Sequence, residues 1–456
     1  MSTTITSQEQ TLTGWGRTDP STATVFTPAS LEQVQELITG AAPGSLIPRG
    51  LGRAYGNAAQ CEGGRVLDLS RFDRITLDAA SGVVTAGSGV SLDQLLRVVV
   101  PAGFFIPVTP GTRNVTVGGA IAADVHGKNH HGEGSFASHV TRLRLVDGDG
   151  QLRELDPSDP ASASSFWATA GGMGLTGVIL DATIRLIPIS SSLISVDTDR
   201  HGDLDSLMAA MVEGDGRYRY SVAWVDSLNP AGRGVLTRGD HATLEQLRSE
   251  RADLADDPLA YDPRALASAP PFLPGGLLNT WTVRAFNEAW FRKAPRHRVG
   301  ELQAIGPYFH PLDGVGDWNR IYGPAGFLQY QFVVPDQAAH LVPRTLEALR
   351  RVGAPSFLTV LKRFGPSNPG PLSFPMPGWT LAADVPAAVP GLLQALEALD
   401  REVAEAGGRL YLAKDSRQSA EMLQRSYPGL EDWRQRRALL DPRRVFSSDL
   451  ARRVNL

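Results

Sequence analysis

The chain has 456 residues, a formal net charge of -4 and a hydrophobic fraction of 42%, the profile of a globular protein of two or three domains without the basic footprint of a nucleic-acid binder. Its one cysteine, Cys61, excludes an internal disulfide and a cysteine-built metal cluster. No run of about 18 apolar residues predicts a membrane span, and residues 1–10 lack the basic and apolar regions of a signal peptide, so a cytoplasmic location is the default and peripheral membrane contact stays open.

Residues 28–40 read as a first helix: Ser30 and Gln33 have capping-box spacing, and Leu31, Val34, Leu37 and Ile38 form one apolar stripe. A short apolar run then enters the loop Arg49-Gly50-Leu51-Gly52-Arg53-Ala54-Tyr55-Gly56-Asn57. Residues 66–78 and 83–89 read as strands and turns, and 91–100 as a helix capped by Ser91 and Gln94. Pro107 to Val140 holds six glycines and four of the nine histidines, and is neither a clean helix nor a clean strand. A hairpin is expected over 140–155, around Asp147-Gly148-Asp149-Gly150. Residues 166–189 start as a helix, pass Gly171, Gly172, Gly174 and Gly177, and end in strands. No regular G-x-G-x-x-G strand–turn–helix is present.

The composition changes at 189–193, a candidate boundary. Beyond it strands are expected at 220–226, 326–334, 357–364 and 379–385. Helices are expected at 336–351, kinked or broken at Pro343, and at 388–406, with Leu392, Leu396, Leu399 and Val403 inward and Gly407-Gly408 as its stop. This order suggests an antiparallel sheet with helices on one face. Residues 265–282 form a Pro/Gly-rich apolar loop of the kind that makes a lid, and the tail from 409 is basic and helical.

Three glycine-rich loops within 130 residues, carrying Arg49, Gly50, Gly52, Arg53 and Gly56, then Thr116, Gly118 and Gly119, then Gly171, Gly172 and Gly174, offer backbone donors to an extended phosphate-bearing cofactor. His126, His130 and His131 have no cysteine partner and no H-E-x-x-H spacing, so hydrogen-bonded histidines outweigh a metal site. Gln329 and Gln331 share a strand face that suits sugar hydroxyls or simply solvent. Lys362 either snorkels or meets a phosphate; Thr380, Ala382 and Asp384 make a candidate pocket wall. Lys414 beside Asp415 is either a surface ion pair or a cation facing the cofactor.

The segments PRGLGRAYGN, PVTPGTRNVTVGGAIAADVHGKNHH, FWATAGGMGLTG, YGPAGFLQYQF, PLSFPMPGW and GGRLYLAKDSR follow in order over nearly the whole chain. Together they resemble the decaprenylphosphoryl-β-D-ribose 2′-oxidase family, the FAD subunit of an actinobacterial epimerase that serves cell-wall arabinan synthesis. The resemblance implies an α+β, two-domain fold of the PCMH (vanillyl-alcohol-oxidase) type. Residues 1–190 and 409–456 would form the FAD domain, and 191–408 an antiparallel-sheet substrate domain. It implies FAD held by Arg49, Gly50, Leu51, Gly52, Arg53, Ala54, Tyr55, Gly56, Thr112, Thr116, Val117, Gly118, Gly119, Ala123, His126, Gly127, Gly172, Gly174, Gly177 and Lys414. Many relatives bond the flavin to a histidine in the first loop; this loop has none, so the FAD is expected to be non-covalent. Substrate groups carry over as Lys128, Gln329, Gln331, Lys362, Thr380 and Ala382, and catalytic candidates as Lys414, Tyr55 and His126, with the base left open among these three.

Two positions depart from the family pattern. Ala382 stands where well-known members have a reactive cysteine, the target of covalent inhibitors. Tyr308-Phe309-His310 stands where they have Phe-Tyr-His. The implied reaction oxidises the 2′-hydroxyl of a polyprenylphosphoryl ribose, and an NADH-dependent keto-reductase would reduce the ketone. The alternatives are an alditol or aldonolactone oxidase of the same fold and a non-catalytic flavin- or lipid-phosphate-binding protein, with a histidine-based metal hydrolase last.

Overall fold

The computed structural model describes residues 5–456, so the leader reading over residues 1–10 falls partly outside the described residues. The first layer is a four-stranded sheet, ordered β1-β2-β4-β3, from β1 (Thr6–Leu12), β2 (Ser21–Thr27), β3 (Leu46–Arg49) and β4 (Arg65–Asp68). The helix α1 (Leu31–Thr39) crosses between its parallel strands. Ser30 caps α1 by accepting from the Gln33 N–H, as its spacing predicts, and Val34, Leu37 and Ile38 face the core. A second, antiparallel sheet comprises β5 (Ile75–Asp78), β6 (Val83–Gly87), β7 (Val140–Val146), β8 (Leu152–Leu155) and β9 (Val178–Arg185), ordered β5-β6-β9-β7-β8. α2 (Leu92–Val99), capped by a Ser91–Gln94 box, and α3 (Val117–Ala122) lie between its strands in the chain, and α4 (Ala163–Thr169) follows β8.

The chain's far end completes the first layer. Phe446 bridges Leu46, and the indole N–H of Trp433 donates to the Ala168 carbonyl at 2.9 Å. Val66, Leu46, Trp433, Phe446 and Leu450 share one buried cluster, each with no more than 0% of its surface exposed. A side chain of that size contributes ~1.5–3 kcal/mol when fully buried, so the two ends of the chain stabilise one another.

Between them lies an eight-stranded antiparallel sheet. Its strands are β10 (Leu193–His201), β11 (Tyr220–Val225), β12 (Gly234–His241), β13 (His297–Ala304), β14 (Phe327–Val334), β15 (Thr359–Phe364), β16 (Gly378–Pro386) and β17 (Arg409–Leu410), ordered β13-β10-β12-β11-β15-β16-β14-β17. Helices α5 (Leu204–Gly214), α7 (Leu341–Arg351) and α8 (Leu392–Glu405) bury one face of this sheet. On α8 the inward residues are Leu392, Leu396, Leu399 and Val403, as the spacing predicts. The other face is left to the site.

Three local expectations change. The α7 helix starts at Leu341, so Pro343 sits in its first turn, where a missing N–H has no intrahelical partner anyway; no kink is needed. Residues 280–293, counted partly within the lid loop, form the helix α6 (Thr280–Lys293) with an Asn279 cap. The strands β10, β12 and β13 lie outside the expected elements: β12 is buried on both faces and β13 has no fully buried residue, so neither alternates, whereas β10 does, with Ile194, Val196 and Thr198 inward.

Candidate active site

A cavity of about 1570 Å³ lies between the glycine loops and the open face of the large sheet. That exceeds the ~300–1,000 Å³ of a pocket for one drug-sized ligand, so it has room for a large cofactor and a substrate together.

The first wall is the loop after β3. Gly52 takes a left-handed φ of +63°, and a Cβ there would lie 2.2 Å from the Arg49 guanidinium. Only glycine permits both. The Tyr55 N–H donates to the Ala413 carbonyl at 2.9 Å, which ties this loop to the C-terminal segment and sets Tyr55 beside Lys414. Arg53 stacks 3.8 Å over Trp15, and its buried Nε has no protein partner. Gly118 approaches Ser88, whose buried hydroxyl also lacks a partner, and Gly119 packs against the Thr116 hydroxyl. Gly174 and Gly177 close the third side.

Of the cofactor candidates, Arg49, Gly50, Leu51, Gly52, Arg53, Ala54, Tyr55, Thr112, Thr116, Gly118, Gly119, Ala123, His126, Gly127, Gly174, Gly177 and Lys414 line the cavity. Gly56, Val117 and Gly172 do not. Gly56 packs against the Asp415 carbonyl, Val117 is fully buried in the core, and Gly172 abuts the Ala168 carbonyl. The two glycines let backbones approach one step behind the wall, and Val117 packs the core beneath it.

The opposite wall is the open face of the large sheet. Residues paired directly across antiparallel strands share a face. The register pairs Gln329 with Asp384, Gln331 with Ala382, and Val333 with Thr380 between β14 and β16. It pairs Ala382 with Val360, and Thr380 with Lys362, between β16 and β15. Gln329, Gln331, Lys362 and Ala382 reach the cavity, whereas Thr380 accepts from the Gln331 amide at 3.3 Å and stands behind it. Trp224 of β11, which sequence reasoning passed over, adds an apolar edge, its indole N–H donating to Phe357 at 2.9 Å.

His126 joins the walls. The Gln331 amide nitrogen lies 2.9 Å from its Nε2, and Lys362 Nζ lies 3.2 Å from its Nδ1. Burial, then the Lys362 charge, push its pKa well below the ordinary histidine value, so the ring is neutral. A neutral imidazole has one acceptor nitrogen. Two donors around it are compatible only if Lys362 is itself neutral or the Gln331 amide is turned to present its oxygen. Burial holds Lys362 at about 7, which suits the first arrangement. Asp124, missed in the sequence, anchors this loop: its carboxylate accepts from Ser135 at 2.9 Å, Asn368 at 2.6 Å and Ser373 at 2.5 Å. Nothing in the run A-A-D-V-H-G signals such a role, because two of its partners, Asn368 and Ser373, come from a segment more than 240 positions away.

The other histidines serve structure. His130 accepts the Gly365 N–H at 3.2 Å, and His131 contacts the Tyr218 carbonyl at 2.9 Å. Lys128 donates to the Tyr308 carbonyl and lies 4.3 Å from the Tyr308 ring and 5.8 Å from that of Phe309. The Tyr308–Phe309 order therefore still gives this ammonium two aromatic faces. Burial lowers Lys128 to about 7.

Lys414 is no surface ion pair. Asp415 pairs with Arg453 at 3.0 Å, while Lys414 Nζ sits 3.7 Å over the Tyr55 ring. The Gln329 amide donates to Asp384 and approaches the Tyr55 hydroxyl at 3.3 Å. Burial raises the Asp384 carboxyl and lowers the Lys414 ammonium, while each one's charge favours the other's ionised form. Burial also lifts the Tyr55 phenol well above its usual value, so it stays protonated. The arrangement can hold a polyol between two amides, bind an anion on two lysines, and accept a proton at Lys414.

The chain matches an FAD binding domain family over residues 22–156 and a D-arabinono-1,4-lactone oxidase family over residues 389–454. It is 45% identical over 453 residues to the decaprenylphosphoryl-β-D-ribose oxidase of Mycolicibacterium smegmatis, covering 98% of this chain and 97% of that protein. An uncharacterized protein of Streptomyces coelicolor is 42% identical over 80% of this chain and all 100% of its own length. The D-arabinono-1,4-lactone oxidase of Saccharomyces cerevisiae is 29% identical over 36% of this chain and 32% of its own. The two family matches fall on the two chain ends that share one core. The residues present fit FAD: three loops bring bare backbone to one wall, Arg53 Nε and the Ser88 hydroxyl are buried without protein partners, and the space exceeds one small ligand.

Proposed function

The chain belongs to the decaprenylphosphoryl-β-D-ribose oxidase family, and from that premise we propose that it oxidises the 2′-hydroxyl of decaprenylphosphoryl-β-D-ribose to the ketone. It is an FAD-dependent oxidoreductase with an α+β, two-domain PCMH-type fold. Residues 1–190 and 409–456 hold the FAD, and 191–408 hold the sugar. The alcohol loses a hydride from C2′ and a proton from its oxygen; bound FAD supplies the acceptor for the hydride.

The chain's own residues place the sugar and move the proton. Gln329 and Gln331 grip hydroxyls, and the cationic forms of Lys128 and Lys362 take the phosphate. His126 positions Gln331 and Lys362, since both its nitrogens are engaged. Lys414 accepts the proton: its pKa is depressed by burial, it faces the cavity, and protonation there is sustained by Asp384. Tyr55, kept protonated, orients Lys414 through its ring face. The FAD is non-covalent, because the loop from Gly50 to Asn57 contains no histidine. The ketone then passes to a separate NADH-dependent keto-reductase.

The observation that carries this reading is the convergence of Gln329, Gln331, Lys128, Lys362 and Lys414 on one cavity in a chain 45% identical to that oxidase over almost its whole length. Anaerobic mixing with a prenylphosphoryl ribose should bleach the flavin absorption. Bleaching by free alditols or aldonolactones alone would replace this reading with the lactone-oxidase one, which the match over 389–454 favours.

A further inference from the structure

Exposed large apolar side chains concentrate in one stretch. Leu266 and Phe272 are each 91% exposed and Trp281 78%, followed by Leu277, Phe286 and Trp290 at 42–43%. The helix α6 keeps three of its aromatic side chains exposed or half-exposed. Val283 and Asn287 face the protein, where Asn287 donates to Asp226 at 2.7 Å. Trp281 projects to solvent at the start of the helix, while Phe286 and Trp290, stacked at 6.0 Å, flank the buried residues and stay half-exposed.

Cations accompany these rings. Arg284 lies 5.7 Å from Trp281, and Lys293 lies 5.8 Å from Trp290. Among the described residues, Arg284, Lys293 and Arg296 form no ion pair, whereas the nearby Glu288 is taken up by Arg233 and Arg292. A basic, aromatic surface therefore stands out on a chain whose net charge is -4. It is also continuous with the active-site mouth: Leu266, Trp290 and Lys293 line both.

We infer that this face, Leu266 to Arg296, seats the protein on an anionic lipid bilayer, with the cavity mouth against the membrane. Tryptophan at the headgroup level, apolar side chains below it and Lys/Arg toward anionic lipid are the chemistry of a membrane interface. Another protein's surface would not need so many unpaired cations beside exposed rings. No helix among the described residues is long and apolar enough to span, so the contact is peripheral. The inference draws on the lipid-substrate reading, since a prenyl chain held in a bilayer could present its sugar phosphate to the mouth without leaving it.

The test is co-sedimentation of the FAD-loaded full chain with phosphatidylcholine vesicles, with and without about one-third phosphatidylglycerol. Binding should need the anionic lipid and weaken with salt. The variant Phe272→Ser/Trp281→Ser/Arg284→Glu, outside the cavity lining, should lose at least about tenfold in partitioning. Its flavin content and its bleaching by a water-soluble, short-chain prenylphosphoryl ribose should be unchanged. Failure of the native protein to bind either vesicle, equal binding by the variant, or a concentration-dependent dimer that the variant abolishes without vesicle binding would each overturn the inference. If vesicles bind but the short-chain substrate does not bleach the flavin, the substrate reading fails and the membrane face stands.

Discussion

Gln329 and Asp384 face one another directly across two antiparallel strands, and the Gln329 amide donates to the Asp384 carboxylate while reaching the Tyr55 hydroxyl at 3.3 Å. The second carboxylate oxygen of Asp384 is buried without a partner. An unpaired oxygen of this kind is costly to bury, and here its charge favours the protonated form of Lys414. Asp384 is thus a positioning residue behind the cavity wall. With Asp384→Asn the Lys414 pKa falls further, so the limb of the kcat/KM profile that reports a deprotonated base moves to lower pH. A steady-state pH profile checks this; a uniform loss of rate with no shift would make the role purely architectural.

Lys414→Met removes the proton acceptor. The half-reaction rate should fall ~10²–10⁴-fold, the usual range for a lost general base. Stopped-flow flavin bleaching measures it, and flavin absorbance per chain should be retained. His126→Asn, by comparison, should raise KM more than it lowers kcat.

Lys128 and Lys362 are each held at about 7 by burial, against about 10.4 for an unperturbed lysine. An anionic phosphate favours their charged forms, so above pH 7 binding must take up protons. Affinity for a prenylphosphoryl sugar should therefore fall as pH rises from 7 to 9, by up to about tenfold per unit for each proton taken up. An uncharged sugar analogue should show no such fall. Isothermal titration in two buffers of different ionisation enthalpy counts the protons. The same depression has a stability consequence in the cofactor-free chain. The unfolded chain takes up these protons first, so their contribution to stability is present above about 10.4 and is lost as pH falls towards 7.

Ala382 lines the cavity opposite Gln331 and Val360, while Cys61 is fully buried and its sulfur contacts Arg452 at 3.2 Å. The native protein should resist active-site-directed thiol reagents. Ala382→Cys should gain one equivalent of label by intact mass, with protection by substrate.

Gly52→Ala places a Cβ at φ +63°, 2.2 Å from the Arg49 guanidinium. The left-handed conformation alone costs ~1–2 kcal/mol, and Arg49 must shift from its bonds to the Ala59 and Thr13 carbonyls. Faster FAD loss on dilution and a Tm lowered by a few degrees are expected, read by flavin fluorescence and calorimetry.

Elements whose signals are local are legible in the amino-acid order alone. The Ser30 and Ser91 caps, the apolar stripe of α8 and the glycine loops are fixed by neighbours within a few residues. That order also exposes the alternation that sets Gln329 and Gln331 on one strand face, and the motifs that carry the family. Tertiary structure alone decided which of those residues meet. Strand register placed Asp384 behind Gln329 and withdrew Thr380 behind Gln331. Closure of the two chain ends placed Lys414 over Tyr55, 359 positions away, rather than in a surface pair with Asp415. The outward placement of Trp281 on α6 was equally invisible, because the spacing of apolar residues along a helix does not say which of them the core receives. A side chain's environment depends on partners brought from elsewhere in the chain, and no local pattern specifies them.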